Sequence, residues 1–202
     1  MRTTVAIIGG GVAGLCAARL LRAARVEFQL LEARDRLGGR ILSVDASGRS
    51  TDDGFDLGPS WFWPDMQPAL GALVEELGLA AFAQNSDGDV LLERTRNARP
   101  QRHRGMRQEP QSMRLVGGTG ALVRALAKDL PPQALQLGVR VTRMALGEAG
   151  VTLRFVRSDG QEEILEAAQV IAATPPRLLQ VALVFAPSLP SACLLYTSPR
   201  PR

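Results

Sequence analysis

The chain has 202 residues, of which 46% are hydrophobic and 22% charged, a composition typical of globular proteins and not of disordered, collagenous or coiled-coil chains. No apolar run reaches the roughly 18 residues of a membrane span, and the apolar stretch at residues 5–8 is too short for a signal peptide, so we expect neither. The net charge is +4, but the arginines are scattered, so no nucleic-acid partner is expected. Two cysteines without CxxC spacing favour a reducing, cytoplasmic setting.

The start of the chain predicts a strand, a turn, a helix and a second strand. Residues 3–8 are apolar and rich in β-branched side chains, as in a buried strand. Residues 12–24 are rich in Ala, Leu and Arg, which favours a helix. Residues 26–31 predict a second strand, which ends at Glu32. This order predicts a parallel βαβ unit.

The predicted turn carries the pattern GxGxxG at Gly9, Gly11 and Gly14. The first glycine of such a turn permits the tight bend, the second lets a pyrophosphate approach the backbone, and the third lets the helix pack closely. Val12 and Ala13 then open the helix, whose free N–H groups and positive dipole end favour phosphate. A plain strand–turn–helix without a ligand would not explain this combination, so we predict a dinucleotide site.

Glu32 follows Gly14 at about the 20 residues expected for the acid that binds a ribose. Its carboxylate can accept hydrogen bonds from both ribose hydroxyls. A negative charge at this place disfavours a 2′-phosphate, which makes NADP a poor candidate.

The residues after the second strand distinguish FAD from NAD. A second glycine pair beside arginines indicates another backbone approach to phosphate, with a guanidinium to neutralise it. The stretch at residues 32–40 resembles the flavin-containing amine oxidase family, which includes monoamine and polyamine oxidases, phytoene desaturases and protoporphyrinogen oxidases. The resembling cofactor-binding residues are Glu32, Ala33, Arg34, Gly38, Gly39 and Arg40.

This resemblance implies FAD as the cofactor and assigns a role to several residues. Glu32 would bind the adenosine ribose, with Arg34 beside it, and Arg40 would reach the pyrophosphate. The glycine pair would let the loop pass close to the cofactor. Arg36 is expected to be a solvated loop charge.

Two later segments also match the family. Gly58, Pro59, Ser60 and Trp61 match a glycine-containing segment that ends in an aromatic residue and runs beside the flavin. Val141 matches a valine whose backbone pairs with the adenine. Both assignments rest on the resemblance alone.

We predict an α/β fold, a Rossmann-like FAD-binding domain with an added antiparallel β element and a short inserted excursion, truncated relative to the family. Residues 1–66 would form its first part. Residues 67–113 would hold a helix at 68–79, capped at Gly78, and a weakly ordered excursion. Residues 114–192 would form the second part, with a helix at 121–130, a strand at 135–141, a hairpin turning at Asp159-Gly160 and a buried strand at 170–173.

Residues 193–202 do not resemble the family. They match the translation of a transposase-end adapter used in sequencing libraries, with Arg200 as the one departure. We interpret them as a non-native, adapter-derived tail on the N-terminal part of a longer enzyme; a natural disordered tail is the alternative. Such a fragment is expected to be poorly stable, to retain FAD weakly and to aggregate.

The resemblance implies oxidation of a C–N substrate by hydride transfer to FAD, with reoxidation by oxygen. The active-site lysine of oxidase-type members has no match in Lys128, and His103, the only histidine, has no partners at metal-ligand spacing. We therefore predict no metal site, name no catalytic residue and expect the fragment to be inactive alone. The substrate would be a small molecule, and an amine under this resemblance; the sequence gives no oligomeric state. The alternatives are another desaturase or oxidase of the superfamily, an NAD-binding dehydrogenase module, and a non-catalytic dinucleotide-binding protein.

Overall fold

The computed structural model describes residues 1–49, 51, 54–96, 99–105 and 109–190. The described strands are β1 (Arg2–Ile8), β2 (Phe28–Leu31), β3 (Ser43–Val44), β4 (Phe55–Asp56), β5 (Ala81–Ala83), β6 (Val90–Leu92), β7 (Gln101–His103), β8 (Met113–Leu115), β9 (Leu135–Gln136), β10 (Val139–Gly147), β11 (Gly150–Arg157), β12 (Glu162–Ala172) and β13 (Val184–Ala186). The helices are α1 (Val12–Ala23), α2 (Pro68–Glu76), α3 (Gly120–Ala127) and α4 (Pro176–Ala182), with a 3-10 turn at Pro132–Ala134. The predicted tail at 193–202 lies outside the described residues.

The chain divides into two compact units. The first combines Met1–Leu42 with the described residues from Val123 onward, and the second is Ser43–Leu122. The boundaries predicted at 66/67 and 113/114 separate cofactor-binding parts from the excursion. They stay a prediction, because the two compact units are defined by packing within the protein and not by contact with a cofactor.

A mixed sheet of seven strands organises the first unit, in the order β13-β10-β11-β12-β1-β2-β9. The strands β12, β1, β2 and β9 run parallel, whereas β10, β11 and β12 pair antiparallel. Ile8 at the end of β1 is level with Leu31 of β2 and with Ala172 of β12. The carboxyl ends of these strands therefore meet at one edge, as the predicted Rossmann-like fold with an antiparallel addition requires.

The core of this unit lies on the sheet. Phe155, Leu153 and Leu165 are fully buried, and they pack with Ala6 and Leu31 of the parallel strands. One hydrophobic cluster thus spans the parallel and antiparallel parts, which explains why the two form a single sheet.

Two predicted strand boundaries are wrong. The strand expected at 135–141 is two strands, because Gly138 takes a φ of +66° and its N–H donates to the carbonyl of Arg34 at 2.8 Å. The segments expected as a hairpin arm and as a separate buried strand at 170–173 are one strand, β12. Its end is not buried, since Ile171 is 37% exposed.

The second unit holds short paired strands and α2. The pairs are β3–β4, β5–β8 and β6–β7, and the last of these lies in the excursion that was predicted to be weakly ordered. The helix α2 ends at Glu76, and Gly78 follows with a φ of +64°, as predicted for a glycine that ends a helix. No helix in the described residues is both long and apolar enough to span a membrane.

Candidate dinucleotide-binding site

The turn after β1 depends on glycine at its first and last motif positions. Gly9 has a φ of +109°, and its N–H donates to the carbonyl of Leu31 at 2.8 Å, which ties the turn to β2. A Cβ at Gly14 would lie 1.9 Å from the carbonyl oxygen of Gly9. Glycine is therefore required at Gly14 for α1 to pack against the turn.

Gly11 differs from these two, because nothing in the described protein demands glycine there. Its backbone is extended, and a Cβ would meet only the Cα of Gly39, at 3.9 Å. The helix α1 starts at the next residue without a side-chain cap. Its first-turn N–H groups, including those of Val12 and Ala13, have no intrahelical acceptor. The space beside Gly11 is therefore open, and donors suited to an anion adjoin it.

Glu32 lies at the end of β2 with a buried carboxylate, 8% exposed. The N–H of Gly10 donates to its Oε2 at 2.6 Å, and the N–H of Arg34 donates to its Oε1 at 2.9 Å. Ala33 between them is exposed. Since each carboxylate oxygen accepts two hydrogen bonds, each keeps one acceptor position. Two such positions on one group suit a pair of neighbouring hydroxyls.

A second glycine turn packs directly on the first. The N–H of Gly38 donates to the carbonyl of Gly10 at 2.8 Å, and a Cβ at Gly39 would lie 3.1 Å from the Cα of Gly11. Both Gly38 and Gly39 have positive φ, +101° and +59°. The structure thus brings the GxGxxG turn and the glycine pair together, backbone against backbone.

The arginines of this loop divide into two kinds. Arg36 was expected to be a solvated charge, and this is wrong. Its guanidinium is half-buried and donates to the carbonyls of Leu37 and Ile41 at 3.0 Å and of Gly39 at 3.1 Å. Arg34 donates to that same Gly39 carbonyl at 2.5 Å. Arg40, by contrast, is exposed and projects from a loop that Arg36 holds in shape.

Val141 is buried in β10, 7% exposed. The N–H of Val139, two residues earlier, donates to the carbonyl of Glu32 at 2.8 Å. The start of β10 therefore lies beside the acid, and the pairing with β11 shifts register just after Val141. The predicted contact of this backbone with adenine stays a prediction.

The segment Gly58, Pro59, Ser60 and Trp61 lies in the second unit. Thr119 donates through Oγ1 to the carbonyl of Pro59 at 2.9 Å, and Ser60 donates to the carbonyl of Gly58 at 3.4 Å. The indole N–H of Trp61 donates to Oε1 of Gln84 at 3.2 Å, and the ring is half-exposed. Its predicted place beside the flavin is likewise untested.

Asp56 is a residue of this segment whose role sequence reasoning missed. Its Oδ1 accepts hydrogen bonds from Oγ of Ser43 at 2.8 Å and from the N–H of Thr119 at 3.0 Å. A Cβ at Gly118 would lie 2.9 Å from the same oxygen. Asp56 therefore fixes the glycine-rich turn before α3. The sequence does carry a signal for this role, because Asp56 comes just before the segment that begins at Gly58, and Thr119 lies within the glycine-rich segment at residues 117–120.

Comparison with protein families identifies two matching regions. Residues 7–77 match the NAD(P)-binding Rossmann-like domain. Residues 95–195, half of the chain, match the flavin containing amine oxidoreductase family.

Similar proteins include the putrescine oxidase of Kocuria rosea, 44% identical over 43% of this chain and 17% of that protein. Polyamine oxidase 5 of Oryza sativa subsp. japonica is 35% identical over 54% of this chain and 22% of its own length. Each match thus covers less than a quarter of the relative.

Solved structures share the fold over nearly the whole chain. A putrescine oxidase bound to putrescine aligns with a TM-score of 0.78 at 21% identity, over 96% of this chain and 63% of that one. The cyclohexylamine oxidase of Brevibacterium oxydans aligns with a TM-score of 0.75 at 17% identity, over 95% and 62%. Because the family model matches half of the chain, the chain belongs to the flavin-containing amine oxidoreductase family, and FAD is the cofactor that this membership implies.

Proposed function

We propose that this chain forms the dinucleotide-binding part of an FAD-dependent amine oxidoreductase. The open space beside Gly11 at the start of α1 carries this proposal, because Gly9 and Gly14 are explained by packing and Gly11 is not. The buried carboxylate of Glu32, with one free acceptor position on each oxygen, supplies the second feature that a dinucleotide needs.

The residues fit the parts of FAD as follows. The N–H groups of Val12 and Ala13 would hold the diphosphate at the α1 N-terminus, and Glu32 would hold the adenosine ribose. Arg40, exposed on its loop, would neutralise phosphate charge, while Arg34 would lie by the ribose.

The other predicted contacts rest on the family resemblance. The backbone of Val141 would contact the adenine. Gly58, Pro59, Ser60 and Trp61 would lie beside the flavin, where small residues and backbone N–H groups can face the ring edge.

The proposed reaction is the oxidation of a carbon–nitrogen single bond. Bound FAD would supply the two-electron chemistry, taking a hydride from the carbon next to an amine nitrogen and passing the electrons to oxygen. The relatives named putrescine and polyamine oxidase favour an aliphatic amine as substrate. We further propose that the chain is inactive alone, since Lys128 does not match the active-site lysine expected in oxidase-type members.

Titration of the purified full chain tests the proposal. Binding of FAD, followed by absorbance and by quenching of flavin fluorescence, is expected to be saturable, and NADH should not displace it. Putrescine added without oxygen should leave the flavin absorbance unchanged, because the chain alone is inactive.

Three outcomes would contradict the proposal. Displacement of FAD by NADH would favour the NAD-binding dehydrogenase module. Absence of affinity for either dinucleotide would indicate that the fold has another role. Bleaching of the flavin by putrescine would show that the chain is active by itself.

A further inference from the structure

Two side-chain hydroxyls in the described residues are buried without a hydrogen-bond partner, Oγ1 of Thr3 and Oγ1 of Thr174. A buried hydroxyl that makes no hydrogen bond loses its interactions with water and gains none in return, so native proteins avoid the situation unless another group supplies the partner. The two sites differ in where they lie on the sheet.

Thr174 lies at the edge where the glycine turn is. Ala172 ends β12, and the N–H of Ala173 continues the pairing by donating to the carbonyl of Ile8 at 2.8 Å. The next residue, Thr174, directs Cγ2 at the turn, 2.9 Å from where a Cβ of Gly9 would be. Thr3, by contrast, lies near the beginning of β1, at the far end of the strand from this turn.

The strand order places Thr174 opposite Glu32. β1 lies between β2 and β12, so the acid follows the strand on one side of the glycine turn and the threonine follows the strand on the other. Ligands of open α/β sheets bind outside the carboxyl ends of the strands. The dinucleotide crevice is therefore flanked by Glu32 on the β2 side and by Thr174 on the β12 side.

No local role accounts for the hydroxyl. Thr174 precedes α4, but that helix begins with Pro175 as its N-cap residue and has no side-chain cap. The side chain contacts the glycine turn through its methyl group. A rotation of roughly 120° about χ1 to another staggered rotamer places the hydroxyl where the methyl group lies, and the methyl group takes the position of the Cβ hydrogen, without moving the backbone.

We propose that Thr174 is a cofactor-binding residue whose hydroxyl donates a hydrogen bond to the diphosphate of the dinucleotide. This inference rests on the proposed function, since it needs FAD in the crevice. It adds a contact on the β12 side from a residue that belongs neither to the GxGxxG turn nor to the arginine loop.

Paired substitutions test it in the full chain. Thr174→Val removes the hydroxyl at nearly constant shape, Thr174→Ser keeps it, and Thr3→Val removes the other unpartnered hydroxyl as a matched control. The dissociation constants of FAD and of ADP should both rise about 10-fold or more in Thr174→Val, as for the loss of a hydrogen bond to a charged group. Thr174→Ser and Thr3→Val should bind as the wild type does.

Urea unfolding of the ligand-free proteins separates binding from folding. Both valine variants should be as stable as the wild type or more so, because each loses an unsatisfied buried hydroxyl. If Thr174→Val is less stable, Thr174→Ala replaces it in the titration, and the same loss of affinity is expected.

The outcomes distinguish this inference from the proposed function. Wild-type affinity in Thr174→Val overturns the inference alone, and so does a loss of FAD affinity with unchanged ADP affinity, because the partner would then lie outside the diphosphate. A wild-type chain that binds no FAD overturns the proposed function and this inference together.

Discussion

Gly11 and Gly14 belong to one motif, yet their neighbours differ. A Cβ at Gly14 would lie 1.9 Å from the Gly9 carbonyl oxygen, whereas one at Gly11 would meet only the Gly39 Cα at 3.9 Å. Gly14→Ala should therefore destabilise the free protein by about 3 kcal/mol through overpacking. Gly11→Ala should cost about 1 kcal/mol or less, the ordinary effect of alanine at an N-cap, while raising the FAD dissociation constant at least about 10-fold.

Urea unfolding of the free proteins and FAD titration measure the two effects separately. A Gly11→Ala variant that binds FAD normally would show that no ligand atoms occupy the space beside this residue. A Gly14→Ala variant of wild-type stability would show that the helix can withdraw from the turn.

Arg36 holds its own loop in shape. Its guanidinium donates to three carbonyls, those of Leu37, Gly39 and Ile41. Arg36→Lys should lower both stability, by about 1–2 kcal/mol, and FAD affinity, because an ammonium group lacks the planar fork that reaches several acceptors at once. Arg154 is exposed, so Arg154→Lys is the matched control and should change neither stability nor FAD affinity. If the two variants behave alike, the guanidinium of Arg36 contributes nothing to the loop.

At the scale of elements, the sequence predicts what local pattern determines. The β1–α1–β2 unit follows from two strand patterns with a glycine turn and a helix pattern between them, and this order is confirmed. The break at Gly138 could not be predicted, because the alternating pattern of residues 135–141 continues through it. The break depends on a hydrogen bond from Gly138 to Arg34, which lies far away in the sequence.

The continuous β12 was missed for a related reason. Its first half alternates between buried and exposed residues against β11, while its second half pairs with β1. The burial pattern changes where the pairing partner changes from β11 to β1, so the sequence pattern predicts two strands instead of one. The role of Arg36 was equally hidden, since no sequence pattern states which carbonyls a loop will present to a side chain.

The β11–β12 hairpin carries a pH-dependent contact. Arg157 hydrogen-bonds to Glu163 across the turn, and this bond lowers the pKa of the Glu163 carboxyl below its ordinary value of 4.5. Because the folded pKa is the lower one, the contact stabilises the protein above pH 4.5 and is lost as the pH falls through the folded value. Glu163→Gln should therefore be less stable than the wild type at neutral pH, and the difference should shrink in acid.

Urea unfolding at several pH values measures this difference. Arg157→Gln and the double variant complete a double-mutant cycle, which isolates the pair from the other contacts of each residue. A stability difference between wild type and Glu163→Gln that does not change with pH would contradict the assignment.

At the scale of the whole molecule, apolar side chains remain exposed beside the sheet of the first unit. On α4, Leu178 is 52% and Val181 82% exposed, one helical turn apart, and Val184 of β13 is 56% exposed. Neighbouring exposed apolar side chains favour self-association. We therefore predict that this surface contributes to the aggregation expected from the sequence.

The double substitution Leu178→Gln and Val181→Gln tests this location. The polar side chains replace apolar area exposed to water, so self-association measured by sedimentation velocity should decrease. The FAD dissociation constant should stay at the wild-type value, because neither residue belongs to the glycine turns or to Glu32. Replacing Leu20 of α1, which is also exposed, by glutamine is the control for a single apolar residue and should leave self-association unchanged. Equal self-association of the double variant and the wild type would show that the surface responsible for self-association does not include these residues of α4.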